Sequence, residues 1–338
     1  MGSSELPPYD SLLVVSFGGP EGPADVIPFL ENVLRGRNVP RERLLAVAEH
    51  YQTIGGASPI NAHNRELIAG LEALLAQRGP KMPVYFGNRN WHPLLSETIA
   101  KMASDGRRRA LGLVTSAYSS YSGCRQYLEN IADARRAVGA DAPQIEKLRA
   151  FYNHPGFIEA TVARMKEAFD RIPLARRSQA RIVFTAHSLP MSMASRCRYV
   201  AELEETCRLA AASFAPSAWQ LAFQSRSGPP AQPWLEPDVG DALEALASHG
   251  VRDVVVVPVG FLSDHVEVLY DLDIEARQRA ESMGMTMIRA RTVGTHPAMV
   301  GMIRELILER LDPAQPRRSL GQFGPSVDMC ALDCCPRS

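Results

Sequence analysis

The stretch VRDVVVVPVGFLSDHVEVLYDLDIE, residues 251–275, joins an apolar run to a segment rich in acidic side chains. The valines at 254–257 predict a strand that is buried on both faces, as strands of a helix-covered parallel sheet are. Pro258 and Gly260 end this strand. The polar segment that follows therefore begins at the carboxyl end of a buried strand, where open parallel sheets build their binding sites.

Similar apolar strands alternate with helical patterns along the whole chain. Strands are predicted at 11–17, 83–88, 110–117, 181–187, 219–225, 253–260 and 285–292, and helices at 63–78, 93–104, 156–171, 195–214, 239–249 and 297–311. This alternation predicts an α/β fold in which parallel sheets are flanked by helices.

An internal likeness between two stretches predicts two lobes. GLVTSAYSSYSG (112–123) and VVVPVGFLSDH (255–265) share the same order of apolar strand, small residues, aromatic ring and polar groups. We therefore expect two similar Rossmann-like lobes, at residues 10–150 and 151–312, with a cleft between them. Residues 313–338 lack periodicity and are predicted to form a tail that carries a cysteine cluster.

The composition is that of an ordinary globular protein. The chain has 338 residues, 46% of them hydrophobic, and a formal net charge of +0, so it has no basic excess for binding nucleic acid. No apolar run reaches the roughly 18–20 residues that cross a bilayer. The N-terminal MGSSELPPYD lacks the basic and apolar regions of a signal peptide. These features predict a cytoplasmic protein without a membrane span, a location where disulfides are rare.

A histidine and a line of acids follow two of the predicted strands. If 264–275 is helical, Asp264, Glu267, Asp271 and Glu275 fall along one face. Asp264 also suits a helix N-cap, and His187 in TAHSLP, taken alone, is more simply a strand-end residue that bonds a carbonyl. If the two strands are neighbours, however, His187 and Glu267 face each other. Such a pair holds a divalent first-row metal loosely or takes up protons.

The glycine-rich loops do not match nucleotide-binding patterns. SFGGPEGP is neither a dinucleotide fingerprint nor a phosphate loop, which argues against a nucleotide-dependent oxidoreductase, and no GxSxG hydrolase motif is present. Gly18 and Gly19 instead allow the backbone to pass close to a flat ligand, with Phe17 along its face. Ser58 in IGGASP offers a hydroxyl in a similar setting.

Three cysteines crowd the C-terminal end. Cys330, Cys334 and Cys335 lie within CALDCCPRS, and a tail with incidental thiols is the simplest explanation. Crowded thiols in a reducing compartment nevertheless suggest a metal or a cluster. A four-cysteine iron–sulfur cluster needs a further ligand from the body of the chain, and spacing alone does not identify it.

Taken together, these motifs resemble the ferrochelatase family over nearly the whole chain. The matching stretches are LLVVSFGGPEG, LRGR, YQTIGGASPIN, TAHSLP, QSRSGPPAQPWLEPDV and PVGFLSDHVEVLYDLDIEA. Members of this family are lyases that insert ferrous iron into a porphyrin, and the resemblance implies their chelatase fold of two lobes with the porphyrin in the cleft.

The resemblance also implies roles for individual residues. His187 and Glu267 match the groups that bind iron and handle protons, and we expect the imidazole of His187 to accept pyrrole protons at neutral pH. The acidic path matches Asp264, His265, Asp271 and Glu275. The implied porphyrin-binding residues are Phe17, Arg35, Ser58, Tyr127, Trp234 and Phe261. Many soluble bacterial relatives have a tyrosine in place of Phe17, so a side-chain iron ligand at that position is excluded here.

Two further expectations rest on the resemblance. Mitochondrial members hold an iron–sulfur cluster with three C-terminal cysteines and one after the third strand, which predicts a [2Fe-2S] cluster at Cys124, Cys330, Cys334 and Cys335 despite a different spacing. The loops are most similar to the actinobacterial type, which uses coproporphyrin III. Residues 23–54 carry charges throughout rather than an apolar membrane lip, which favours that more anionic substrate.

The predicted reaction is therefore insertion of Fe²⁺ into coproporphyrin III, giving iron-coproporphyrin III and two protons in haem biosynthesis. A transient partner that delivers iron or receives the product fits this activity. Three alternatives stay open at this point: a protoporphyrin IX ferrochelatase, a cobalt chelatase for another tetrapyrrole, and a non-catalytic haem or porphyrin carrier.

Overall fold

A computed structural model describes residues 9–36, 39–214, 218–228, 231–331 and 334–336. Its strands form two parallel sheets of four. The first contains β1 (Ser11–Ser16), β2 (Val84–Asn88), β3 (Arg109–Val114) and β4 (Gln144–Lys147), in the order β2-β1-β3-β4. The second contains β5 (Arg181–His187), β6 (Trp219–Gln224), β7 (Asp253–Val257) and β8 (Thr286–Arg289), in the order β6-β5-β7-β8. This is the predicted two-lobed α/β chelatase fold.

Helices connect the strands, as parallel pairing requires. In the first half they are α1 (Val26–Val33), α2 (Arg41–Thr53), α3 (Ile60–Arg78), α4 (Leu95–Ser104) and α5 (Gln126–Val138). In the second half they are α6 (Pro155–Phe169), α7 (Leu174–Arg177), α8 (Met191–Ala194), α9 (Tyr199–Ala211), α10 (Val239–Ser248), α11 (Val266–Leu269), α12 (Arg277–Ser282) and α13 (Pro297–Leu311). A 3₁₀ turn covers Pro23–Asp25, and π-helical turns cover Tyr121–Arg125 and Asp271–Ala276.

The two sheets repeat each other in register. Across the first sheet, Leu12 pairs with Val84 and Leu111, and Leu111 pairs with Glu146. Across the second, the corresponding row is Trp219, Ile182, Val255 and Ile288. When the same number of residues is counted forward from Leu12 and from Ile182, Phe17 is equivalent to His187. The same count from Val84 and Trp219 makes Arg89 equivalent to Gln224. The internal likeness between 112–123 and 255–265 is thereby confirmed, because these stretches contain the equivalent strands β3 and β7.

The strand that the sequence pattern missed is β4. Its residues, QIEK, include three polar side chains, because β4 is an edge strand that pairs only with β3 among the described strands. Glu146 accepts hydrogen bonds from Tyr9, Arg109 and Arg310, so a polar residue is satisfied there. Apolar runs identify strands that are buried on both faces, and they overlook an edge strand of this kind.

One continuous apolar cluster extends across both halves. It includes Leu12 and Leu111 from the first sheet and Ile182 and Phe184 from the second. Helix α13 also reaches across, since Arg304 donates hydrogen bonds to the carbonyl oxygens of Arg78 and Gly79 at the end of α3. The division of the chain near residue 150 stays a prediction.

The segment after α13 is anchored to the body rather than trailing freely. The Asn153 side chain donates to the carbonyl oxygens of Leu320 and Gly324, at 3.2 and 2.7 Å. Arg198 lies over the ring of Phe323, with its guanidinium carbon 4.8 Å from the ring centroid. These contacts lead the chain back towards Cys124. Within the described residues, no helix has the length and apolar character needed to span a membrane.

Candidate active site

His187 is the last residue of β5, and its ring is oriented by two contacts. Nδ1 donates a hydrogen bond to the carbonyl oxygen of Ser188 at 2.5 Å, and Nε2 lies 3.4 Å from Oε1 of Glu267. The buried Tyr199 hydroxyl donates to the backbone oxygen of His187 at 3.0 Å. A donor bond at Nδ1 leaves Nε2 as the nitrogen that faces Glu267 and an incoming ligand.

Glu267 belongs to α11, which begins directly after the loop that follows β7. The side chain of His265 caps this helix by accepting the backbone N–H of Glu267 at 3.2 Å. Strands β5 and β7 are hydrogen-bonded neighbours. The expectation that the two strands are adjacent, so that His187 faces Glu267, is therefore confirmed by the geometry.

Each member of the His187–Glu267 pair shifts the pKa of the other towards its charged form. Burial alone would lower the pKa of His187, but the Glu267 carboxylate raises it to about 9. Burial would raise the pKa of Glu267, and His187 instead holds it at about 2. The neighbouring carboxylate thus favours the protonated ring, and the expected role of His187 as acceptor of pyrrole protons stays a prediction.

Asp271 is the group in this cluster that titrates near neutral pH. Burial and the nearby charge of Glu267 raise its pKa to about 7, and Glu275 raises it further in the same direction. Its carboxylate accepts a hydrogen bond from Ser225, which has a left-handed backbone with φ of 62°. Backbone strain of this kind is concentrated at functional sites.

The helix through the acidic segment is not regular. After Tyr270 the chain makes a π turn, in which the backbone N–H of Glu275 bonds the carbonyl oxygen of Tyr270 at 3.0 Å. The condition of one regular helix over 264–275 is therefore not met. Glu267, Asp271 and Glu275 still influence one another electrostatically, so they form a connected acidic group.

Asp264 does not share that group's electrostatic setting. Arg289 donates to both of its carboxylate oxygens at 3.2 Å, and Thr292 donates to one of them at 3.1 Å. It is also not the N-cap of α11, because His265 has that role. Its charge is thus compensated by Arg289 on β8, which sets Asp264 apart from Asp271 and Glu275 in the predicted acidic path.

The carboxyl edge of the first sheet is aromatic and cationic. Arg89 lies between two rings, with its guanidinium carbon 5.4 Å from the centroid of Phe17 and 4.5 Å from that of Tyr127. The Nε of Arg89 is buried and has no hydrogen-bond partner among the described residues. Phe17 is 36% exposed and packs edge-on against Phe29. A flat anionic ligand would find both a ring face and a charged donor here.

The other predicted porphyrin contacts lie in different surroundings. Ser58 is buried against the backbone of Gly19, and Arg35 is exposed and bonded to Asn32. Trp234 is buried beside Gly228, and its indole N–H has no partner among the described residues. Phe261 packs against His265, with ring centroids 4.9 Å apart.

The two lobes approach each other above the pair through α2. The His50 ring stacks on Tyr270, with ring centroids 3.8 Å apart and planes 7° apart. Tyr51 is buried, and burial together with the charge of Glu267 raises the pKa of its hydroxyl. Opposite, the Tyr118 hydroxyl donates to the carbonyl oxygen of Val259 at 3.0 Å. The acidic cluster is therefore covered by residues of the first half.

Comparisons with known proteins agree with this geometry. The ferrochelatase family profile matches residues 9–311. A ferrochelatase from Rhodopirellula baltica is 53% identical, over 98% of this chain and 95% of its own length. This chain belongs to the ferrochelatase family. A relative named coproporphyrin III ferrochelatase, from Nocardia farcinica, is 50% identical over 96% of each chain.

A solved chelatase shares the fold. The sirohydrochlorin chelatase SirB from Bacillus subtilis, in complex with cobalt, superposes with a TM-score of 0.55 over 92% of this ferrochelatase and 99% of its own chain. The two sequences are 12% identical, so the likeness concerns the fold alone.

The four predicted cluster cysteines of this ferrochelatase lie near one another. Cys334 and Cys335 have sulfur atoms 3.6 Å apart. Cys124 is buried and donates a hydrogen bond to Cys330, which lowers the pKa of the Cys330 thiol. Among the described residues, however, no group of three or more His, Cys, Asp or Glu side chains surrounds a point at which a metal ion would be held.

Sequence reasoning missed three residues that contact this ferrochelatase site. Arg89 comes directly after β2 in a stretch, GNRNW, that matched no motif. Gln224 and Ser225 open QSRSGPP, which supported the family resemblance without suggesting roles for either residue. Strand ends were the available signal, because Arg89 directly follows one predicted strand and Gln224 and Ser225 are the last two residues of another.

Proposed function

We propose that this chain inserts ferrous iron into coproporphyrin III, releasing two protons. The observation that carries the proposal is the His187–Glu267 pair, at 3.4 Å, at the carboxyl edge of one sheet, together with the aromatic and cationic group of Phe17, Arg89 and Tyr127 at the carboxyl edge of the other. One side offers nitrogen and carboxylate ligands to a cation, and the other offers ring faces and a positive charge to a flat anion.

Proton handling follows from the charges at the site. Iron and a proton compete for Nε2 of His187, so an approaching Fe²⁺ favours loss of the proton that Glu267 holds there. Asp271, with a pKa of about 7, can take up a proton and release it near neutral pH. Glu275 lies beyond it on the same segment. Once His187 is neutral, it can accept a proton from a pyrrole nitrogen.

Substrate choice is supported by charge. Coproporphyrin III carries four propionates, whereas protoporphyrin IX carries two, and Arg89 presents an unpaired buried Nε at the first-sheet edge, counting the described residues. The relative from Nocardia farcinica carries the name coproporphyrin III ferrochelatase. A preference for the more anionic porphyrin also fits an enzyme that works in the cytoplasm, as the sequence predicts.

The test is an anaerobic insertion assay with ferrous iron, in which loss of the free-porphyrin spectrum is followed for the two porphyrins. We expect kcat/KM for coproporphyrin III to exceed that for protoporphyrin IX by about tenfold or more, the worth of one charge-assisted hydrogen bond. A preference for protoporphyrin IX would contradict the proposed substrate but would still support the proposed insertion of iron. Stoichiometric binding of both porphyrins without turnover would reject insertion and favour the carrier.

We also propose that the cysteine site holds a [2Fe-2S] cluster. Such a cluster takes two thiolates on each iron, so its ligands form two pairs rather than one group around a point. The contacts supply two pairs, Cys124 with Cys330 and Cys334 with Cys335. Metal insertion involves no oxidation or reduction, so the cluster would contribute structure, joining the C-terminal segment to the π turn that contains Cys124.

Iron and acid-labile sulfide analysis of the purified protein tests this second proposal. We expect two of each per chain and a visible absorption band that the Cys330→Ser substitution removes. Cys197→Ser is the matched control, because this thiol lies near the tail cysteines but outside both pairs. Colourless protein without iron or sulfide would reject the cluster and leave the insertion proposal unaffected.

A further inference from the structure

Gln224, the last residue of β6, contacts the segments of both proposed iron ligands. In the β5–β6 ladder it pairs with His187. Its backbone carbonyl accepts the N–H of Ser188 at 2.8 Å, and its side-chain Nε2 donates to the carbonyl oxygen of Glu267 at 2.6 Å. The side chain is buried, with the residue 1% exposed. One residue therefore connects the end of β5 to the start of α11.

The amide at this position is not explained by packing. Its Oε1 atom is buried and has no hydrogen-bond partner within the described part of the chain. An unpaired buried acceptor is unfavourable, so an apolar side chain of the same length would suit the core better. The fold does not require glutamine there either, because the first sheet places Arg89 at the equivalent position. What the amide adds is the donor to Glu267.

The loop between β7 and α11 explains why such a donor matters. Residues 258–265 separate the end of β7 from Val266, the first residue of α11. Glu267 is the second residue of α11, so the β-ladder does not set its position, whereas His187 lies within the ladder. A bond from β6 to the Glu267 carbonyl ties the helix start to the same sheet as His187.

We propose that Gln224 is a positioning residue that sets the separation between His187 Nε2 and Glu267 Oε1. This inference rests on the proposed function, since it concerns the same two ligands. Gln224 acts through the backbone of Glu267 and is not itself an iron ligand or a proton acceptor. Misplacing a reacting group by about 1 Å lowers rates by about a hundredfold, so a partly loosened helix start is expected to have a smaller but clear effect.

The test compares Gln224→Met with Gln220→Met. Methionine keeps the length and removes the donor. Gln220 lies on the same strand and makes the same kind of bond, from its Nε2 to the carbonyl oxygen of Ala242 at 3.4 Å, away from the iron ligands. Porphyrin Kd is measured by fluorescence quenching, and kcat and the KM for Fe²⁺ by anaerobic insertion at saturating coproporphyrin III.

For Gln224→Met we expect kcat to fall about tenfold and the KM for Fe²⁺ to rise about fivefold, with porphyrin Kd within about twofold of wild type. Gln220→Met is expected to match wild type in all three. A change in kcat and in the KM for Fe²⁺ without a change in porphyrin Kd indicates positioning, because a general loosening of the lobe would change all three.

Three results would overturn the inference: wild-type kinetics in Gln224→Met, an equal loss in Gln220→Met, or a parallel loss of porphyrin affinity. Should Gln224→Met not fold, Gln224→Asn replaces it, since it keeps a buried amide but is one methylene too short to reach Glu267. Wild-type iron kinetics in that variant would equally reject positioning. Absence of insertion by the wild-type protein would instead reject the proposed function, so the two failures are distinguishable.

Discussion

At the carboxyl edge of the first sheet, Phe17 and Arg89 directly follow the last paired residues of β1 and β2, whereas the second sheet has His187 and Gln224 at the equivalent positions. The backbone is the same in both, but the chemistry differs. The first edge offers ring faces and a positive charge, and the second offers an imidazole with carboxylates behind it. From this comparison we infer that one repeated scaffold is divided between a sheet edge suited to holding a flat anion and a sheet edge suited to handling a cation and its displaced protons.

The largest expected effect comes from removing the imidazole. We expect His187→Ala to bind coproporphyrin III with an affinity near that of wild type but to insert iron at least about a hundredfold more slowly, since a general base contributes about 10²–10⁴-fold. Fluorescence titration gives the affinity, and the anaerobic assay gives the rate. If His187→Ala lost both porphyrin binding and turnover, this result would contradict separate roles for the two sheet edges.

The protonation of His187 sharpens the same comparison. NMR titration of the resting wild-type protein is expected to give this imidazole a pKa of about 9, because the Glu267 carboxylate outweighs burial. In Glu267→Gln burial is left without that carboxylate, so the pKa is expected to fall below 6.5. His187→Ala identifies the resonance. A wild-type pKa at or below 6.5 would contradict the ionised pair.

This pair also has a consequence for stability. The folded-state pKa of His187 is raised, so the charged ring stabilises the folded protein below about pH 6.5, its pKa in an unfolded chain. That stabilisation is lost as the pH rises through about 9. The free energy of unfolding of Glu267→Gln is therefore expected to be lower than that of wild type, and this difference should shrink as the pH approaches and passes 9.

On the first edge, Arg89→Met should raise the KM for coproporphyrin III about tenfold and change kcat by less than about threefold, because a charge-assisted hydrogen bond is worth about 1.5–3 kcal/mol. Methionine keeps much of the side chain's contact with the two rings. Arg107→Met is the control, since this arginine follows α4 at the other end of the sheet. An unchanged KM would mean that Arg89 does not hold the porphyrin.

The smallest effect concerns another pair of equivalent positions, Glu146 on β4 and Ile288 on β8. Hydrogen bonds from Tyr9 and two arginines hold the pKa of Glu146 at about 2. Because the folded pKa is depressed, the stabilisation is present above about pH 4.5 and is lost as the pH falls through 2. We expect Glu146→Gln to lower the free energy of unfolding by about 2 kcal/mol at pH 7.

Urea denaturation at pH 7 and at the lowest pH where wild type stays folded checks this. The loss in free energy of unfolding caused by Glu146→Gln should be smaller at the lower pH. The control is Glu129→Gln, on the exposed side of α5, which should change the free energy of unfolding little at either pH. A deficit that stays constant with pH would mean that the charge of Glu146 is not what stabilises β4.

Strand-end reasoning recovered the centre of the site from the sequence. His187 and Glu267 each follow a buried apolar run, and parallel strands bring such ends to one edge. The π turn after Tyr270 escaped, because spacing in the sequence does not distinguish it from a regular helix. The ion pair between Asp264 and Arg289 was not predicted either, because Arg289 lies on β8 and no local sequence pattern links the two residues. Arg89 was missed because its setting depends on rings from two distant elements.

The path of the C-terminal segment could not be predicted from the sequence either. Its lack of periodicity predicted only a tail that carries a cysteine cluster, and did not predict that Asn153 and Glu205 bond its backbone. Such contacts are made by the body, so the segment's own composition does not reveal them. They bring the tail cysteines to Cys124, on which the cluster proposal depends.

The most direct test of the division between the two edges is a single-turnover experiment. Coproporphyrin III is first bound to saturation, and Fe²⁺ is then mixed in anaerobically while the porphyrin spectrum is followed in wild type, His187→Ala and Arg89→Met. The account predicts that Arg89→Met, once saturated, inserts iron at close to the wild-type rate, whereas His187→Ala holds the porphyrin unconverted. Normal insertion by His187→Ala, or a block in saturated Arg89→Met, would contradict it.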